Sequence, residues 1–210
     1  KCLFIQAHLP LAPVPSVPEI RLHKAGPTSG LSRLAEADEA FGNPYWAYRW
    51  GGGLALARHV LDRPAVAAGK RVLDLGAGSG IVAIAAAKAG AREVLAADVD
   101  PYAIAAIGLN AEANGVHIQT VFGDLTAGSP PDVDVVLVGD LFYDTELAKR
   151  VTAFLDRCLA AGISVLVGDP WRAFLPRARL ELLAEYPGGD FGSSEQSELA
   201  LNGVFAFRRS

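Results

Sequence analysis

The segment Val72-Leu73-Asp74-Leu75-Gly76-Ala77-Gly78-Ser79-Gly80 constrains this chain more than any other. Apolar residues between Arg71 and Leu75 predict a short buried strand, and the alanine-rich stretch from Ile81 to Ala89 predicts a helix directly after the glycines. Glycine at every second position lets the backbone turn sharply and come close to a ligand with no Cβ in the way. A helix that starts there aims its unpaired N–H groups back at the same spot. The expected product is a strand–loop–helix cradle for a small ligand at the end of a buried strand.

The pattern departs from the dinucleotide fingerprint G-x-G-x-x-G. Gly80 comes one residue early, and Ile81 takes the place of the last glycine, which disfavours a NAD-dependent enzyme. Asp74 would repel a pyrophosphate and suit a ligand that carries an amino group. The D-x-G-x-G-x-G arrangement of Asp74, Gly76, Gly78 and Gly80 is the S-adenosylmethionine (SAM) pattern, so SAM is the expected cofactor. A second strand, Glu93 to Ala97, ends at Asp98, about 20 residues on, where a carboxylate can take two ribose hydroxyls. The bland alternative is a glycine turn beside incidental acids. The register of strand, turn, helix, strand and acid argues against it.

With 210 residues, 51% of them apolar, the chain can bury one core, and a single domain covering 1–210 is the expectation. Its net charge of −4 gives no basic surface for nucleic acid. No apolar run approaches the ~18–20 residues of a membrane helix. Cys2 and Cys158 imply neither a disulfide framework nor a metal knuckle. His8, His23, His59 and His117 are scattered, and no metal site is expected. The absence of methionine argues against Lys1 as the natural start, and neither a signal nor a transit peptide is evident. A cytoplasmic, bacterial monomer is the resulting expectation.

Along the chain, Pro10, Pro13, Pro15 and Pro18 predict an extended arm from Leu3 to Leu22, with Ile20 and Leu22 in a short strand. Residues 1–50 then form an N-terminal arm and aromatic lid, with a turn or two of helix between Leu31 and Ala40. Two of the three tryptophans and two of the five tyrosines fall between Asn43 and Gly53, as a hydrophobic plug or as a wall over the ligand. The three glycines after Trp50 favour the wall, and Leu54 to Leu61 has helical spacing. Asp100-Pro101 starts a helix that reaches Asn114. A third strand, His117 to Phe122, leads to Asp124, which meets an adenine edge or simply a solvated turn. Val133 to Val138 reads as a parallel strand buried on both faces. A helix capped by Asp144 or Thr145 follows and buries Cys158 on its apolar stripe. Ile163 to Val167 is a fifth strand, Phe174 to Ala184 a further helix, and Tyr186–Phe191 with Leu199–Phe207 an antiparallel pair. Alternating strands and helices followed by a β pair make a doubly wound α/β fold, whose ligands bind outside the carboxyl ends of the strands. Asp74, Asp98, Asp124, Asp140 and Asp169 all fall at such ends.

The glycine turn, Asp98 and the terminal β pair resemble the seven-strand (class I, Rossmann-like) methyltransferases. Pro18–Leu22, Asn43–Gly53, Gly139–Asp144 and Val165–Arg172 narrow the resemblance to the lysine methyltransferases of the electron transfer flavoprotein β-subunit. Trp171 departs from that family's pattern, and Asp124 matches it poorly. The resemblance implies a mostly parallel seven-stranded sheet and SAM-dependent methylation of a protein lysine, with the flavoprotein β-subunit as partner. It implies that Asp74, Gly76, Gly78 and Gly80 shape the SAM pocket, that Asp98 holds the ribose and that Trp50 lines the cofactor. Asp140 and Tyr143 would border the lysine channel as catalytic residues, although Asp140 could equally cap a turn and Tyr143 pack at a rim. Another protein substrate, such as a ribosomal protein, a small amine, or a non-catalytic SAM-binding module remain as alternatives.

Overall fold

A computed structural model describes residues 1–26, 29–38, 41–189 and 200–209, with the backbone alone at positions 33 and 37. In chain order the elements are α1 (Cys2–His8), β1 (Leu11–Val14), β2 (Val17–His23), α2 (Leu31–Ala37), a single turn at Tyr45–Ala47 and α3 (Gly51–Asp62). The alternating part follows with β3 (Arg71–Leu75), α4 (Ile81–Lys88), β4 (Glu93–Asp98), α5 (Pro101–Ala113), β5 (Gln119–Phe122), β6 (Val135–Gly139), α6 (Thr145–Ala160) and β7 (Ser164–Asp169). It closes with β8 (Leu180–Pro187) and β9 (Leu201–Phe207).

Seven strands form one sheet in the order β5-β4-β3-β6-β7-β9-β8, and β1 pairs with β2 as a separate hairpin. The strands from β3 to β7 run parallel, whereas β9 is antiparallel to both β7 and β8. The chain winds from β3 to one edge and then returns to place β6 on the other side of β3. A crevice therefore opens at the carboxyl ends of β3 and β6, where such sheets take their ligands.

Alternation along the buried strands divides the core. Val72, Val135 and Leu137 face α3, α4 and the β1–β2 hairpin, while Leu73, Leu75, Val136 and Val138 face α6. Local chemistry starts the two longest helices. Asp100 accepts from the Tyr102 N–H with Pro101 at the first helical position, and Asp144 accepts from Glu146 and Leu147 at the head of α6.

Two expectations are overturned. The first residues of the arm are a helix, because the prolines begin only at Pro10; Ile5 and Leu9 bury against Tyr102, Ala103 and Ala106 of α5. The extended reading holds from Leu11 on, and Ile20 and Leu22 lie in β2. The helix expected from Phe174 to Ala184 is absent. Leu180–Pro187 instead pairs along β9, with a bulge between Leu182 and Ala184. Its leucines and glutamates favour a helix locally, but a neighbouring strand to bond with outweighs propensity. The first strand of the expected pair therefore ends at Pro187, short of Gly188 and Gly189; positions 190 and 191 lie outside the described residues, and the second strand is β9. Among the described residues no helix is long and apolar enough to cross a membrane.

Candidate active site

The glycine loop after β3 is left-handed at Gly76 (φ 68°), Gly78 (φ 54°) and Gly80 (φ 80°). A side chain at Gly76 would also meet Leu141, and one at Gly80 would meet Ile107. A Cβ at Gly78 would find no atom nearer than the Trp46 Cα at 3.8 Å, so this glycine leaves open space beside the loop. Asp74 is buried below that space, its carboxylate accepting from the Ala83 N–H at 2.9 Å. Burial pushes its pKa up to about 7, and the charge of Asp98 adds to the effect. A cation is what would return Asp74 to its ionised form. Asp98 accepts from Gly78 N–H at 2.8 Å and Asp100 N–H at 2.9 Å, and burial raises its pKa as well. A carboxylate has about four lone-pair sites, so two hydroxyls can be added without displacing either amide. Glycine cradle, buried acid and strand-end acid together fit a ligand with an ammonium group and a ribose. The cavity here encloses about 60 Å³ and opens to solvent, with Trp50, Gly53, Asp74, Gly78, Ile81 and Asp140 in its wall.

Asp140 follows β6 with φ 61°, a conformation that aspartate tolerates better than most residues. Its carboxylate accepts from the Gly52 N–H at 3.1 Å and the Gly53 N–H at 2.5 Å, capping the head of α3. The Arg172 guanidinium pairs with it at 2.5 Å and reaches the fully buried Asp169 at 3.4 Å. Three segments distant in sequence thus meet at one carboxylate. The glycines at 51–53 are what allow it. A Cβ at Gly52 would collide with the Gly168 carbonyl, and one at Gly139 would stand 3.0 Å from the Gly53 Cα. Their use is close packing of α3 on the ends of β6 and β7, not an open backbone.

The aromatic cluster divides between the two expected roles. Trp46 is 2% exposed and stacks on Tyr102, a plug. Trp50 lines the cavity, its Nε1 donating to the Tyr45 carbonyl, while the Arg172 guanidinium lies 5.9 Å from its ring centre. Tyr143 is 49% exposed beside Tyr45, and partial burial raises its hydroxyl above the ordinary range, so it is a neutral phenol rather than a base at neutral pH. Trp171 has φ 67° and turns its ring onto Phe205 of β9 at 4.8 Å, a packing anchor beside Arg172. Asp124 caps the turn after β5, accepting from the Thr126 amide and hydroxyl, and is not in the cavity wall. Gly80, Asp98 and Tyr143 also stand outside that wall. Leu22 and Arg49 line it without any local signal to announce them. Arg172 stands in the sequence at the end of the Val165–Arg172 segment, with no role assigned to it there.

A protein of Xenopus laevis named electron transfer flavoprotein beta subunit lysine methyltransferase is 39% identical over 210 residues, which span 97% of this chain and 85% of that protein. This chain belongs to that family. The Danio rerio member is also 39% identical, over 90% of this chain and 76% of its own length. These members are animal proteins and lend no support to a bacterial origin. A family model described as ribosomal protein L11 methyltransferase (PrmA) matches residues 55–155. The ribosomal protein L11 methyltransferase of Geobacter sulfurreducens is 46% identical, but over only 46% of this chain and 32% of its own length. Solved structures share the fold: a ribosomal protein L11 methylase from Lactobacillus delbrueckii subsp. bulgaricus has TM-score 0.54 at 24% identity, covering 74% of this chain and 77% of its own. A putative RNA methyltransferase from Pyrococcus horikoshii has TM-score 0.56 at 19% identity, covering 85% and 96%. The chain is a methyltransferase of the lysine-modifying family on the Rossmann-like fold.

Proposed function

We propose that the enzyme transfers a methyl group from SAM to a lysine of the electron transfer flavoprotein β-subunit. The observation that carries the choice of substrate is the extent of the likeness. It runs through β1–β2, the aromatic segment and the terminal strands. The family model of the ribosomal protein L11 methyltransferases matches residues 55–155 alone, from α3 into α6, and leaves out β1–β2, the aromatic segment and the terminal strands. Incubation of recombinant flavoprotein β-subunit and, separately, ribosomal protein L11 with radiolabelled SAM is expected to label the first. Label on L11 alone would reverse the assignment.

In this proposal Asp74 answers the amino group of SAM, Gly76, Gly78 and Gly80 give it room, and Asp98 takes the ribose hydroxyls. Trp50 covers the cofactor. SAM supplies, when bound, a methyl group on a positively charged sulfur. A lysine ammonium, with a pKa near ~10.4 in water, must lose its proton before its nitrogen can attack. The lysine enters a slot beside the half-exposed Tyr143, where water takes that proton. Tyr143 borders that slot and orients the nitrogen through its hydroxyl and ring face. Asp140 fixes the wall that carries Trp50, while alignment of nitrogen, carbon and sulfur supplies most of the rate.

Asp74 makes cofactor affinity depend on pH. Its pKa is about 7 in the free protein, and a cation beside it pulls that value down. Below pH 7 binding must expel a proton, whereas above it the carboxylate is ready. Affinity for SAM is expected to rise toward pH 7 with a slope approaching about tenfold per pH unit and then level off. Titration calorimetry from acid to mildly alkaline buffers measures this directly, and a flat profile would remove Asp74 from contact with the amino group.

A further inference from the structure

Tyr45 is a residue that the sequence left without a role. It projects from the turn before α3, and Tyr143 projects from the loop after β6. Their ring centres are 5.8 Å apart with planes inclined at 57°. The two residues are 47% and 49% exposed, so neither side chain fills the core. Tyr45 is fixed from behind. Trp50 meets its ring edge to face at 5.5 Å and holds its carbonyl oxygen through Nε1 at 2.8 Å. The cluster already accepts one cation, since the Arg172 guanidinium lies over Trp50.

We propose that Tyr45 is the second wall of the lysine slot, and that Tyr45 and Tyr143 together grip the side-chain nitrogen as a cation on their ring faces. The inference rests on the lysine methyltransferase reading. Asp140 is occupied by Gly52, Gly53 and Arg172, so ring faces carry the recognition. A ring face attracts positive charge without needing an N–H, whereas a carboxylate contact weakens each time a methyl replaces a proton. The slot therefore keeps its hold on a mono- or dimethylated amine and returns it for another round. In each round the neutral amine's lone pair forms the N–C bond as the carbon–sulfur bond breaks, leaving a neutral thioether. The proton shed by the ammonium before attack goes to water.

The experiment compares wild type, Tyr45→Ala and Tyr45→Phe on recombinant flavoprotein β-subunit, with intact-mass spectra resolving the methylation states over time. Tyr45→Ala is expected to lower the ratio of tri- to monomethylated product about tenfold, and Tyr45→Phe, which keeps the ring face, is expected to restore it. An unchanged ratio in Tyr45→Ala would overturn the proposal. A second arm needs no protein substrate. NMR titration with Nα-acetyl-Nε-trimethyl-lysine amide and with its neutral tert-butyl isostere should show the charged probe binding about 3- to 10-fold tighter to wild type, and that preference should vanish in Tyr45→Ala. Equal binding of the two probes to wild type would discard the slot as a cation site. If wild type methylates no lysine of the flavoprotein subunit but keeps the charged-probe preference, the fault lies in the substrate assignment and the slot stands.

Discussion

Replacing Asp140 by asparagine is expected to cost both fold stability and nearly all methyl transfer. Asp140 and Arg172 are a partly buried pair, their side chains 11% and 16% exposed, and the same carboxylate accepts two backbone N–H groups at the head of α3. Removing one member of such a pair costs about 3–5 kcal/mol, because a buried charge is left behind. Arg172 keeps Asp169 at 3.4 Å, so the lower end of about 3 kcal/mol applies. For a chain of this size that is a fall in Tm of about 6–12 °C. Activity should drop about 100-fold or more, since Trp50 and the cofactor wall lose their fixed position and small displacements of reacting groups carry penalties of that order. The triple variant Asp140→Asn/Asp169→Asn/Arg172→Gln separates the two effects: with all three charges gone, part of the Tm should return, and turnover should not. Scanning calorimetry alongside a methylation assay decides. A single Asp140→Asn variant that melts like wild type but has lost turnover would mean that the carboxylate serves the substrate and not the wall.

This arrangement also shows what the sequence disclosed and what it withheld. The glycine loop, the Asp100-Pro101 start of α5 and the buried strand Val135–Gly139 are written in a few consecutive residues each, and they were legible for that reason. The role of Asp140 was not. An acid before a turn reads as a cap for that turn, and nothing local announces that this one holds two amides of α3, 87 and 88 residues back, and Arg172. The strand at Leu180–Pro187 was missed on the same ground, because only β9 makes it a strand. Three glycines after Trp50 read as open backbone at a wall over the ligand, although each is buried in a helix. Residue type was visible in the sequence, while the surface that demanded it was assembled from distant segments.

Gly52→Ala tests that last point against the ordinary preference of helices. Alanine in a helix interior is favoured over glycine by up to about 1 kcal/mol, so intrinsic propensity alone predicts a gain. The contact predicts the opposite. The added Cβ would collide with the Gly168 carbonyl oxygen, stand 2.6 Å from its carbon and lie 2.8 Å from the Asp140 carboxylate. The first two are backbone atoms of β7, which cannot swing aside as a side chain would. Either α3 lifts from the sheet or the strand end shifts, at a cost of about 1–3 kcal/mol or more for overpacking. Both movements disturb the two amides that Asp140 holds, so SAM binding should weaken at least about tenfold together with the loss of stability. Gly108→Ala is the internal control. It lies in α5 with nothing within 4 Å of a built Cβ, and the same substitution there is expected to raise Tm by a few degrees and leave SAM affinity unchanged. Melting curves and SAM titrations on the two variants should move in opposite directions. If Gly52→Ala followed Gly108→Ala, α3 would not be seated on the strand ends, and the wall over the cofactor would need another support.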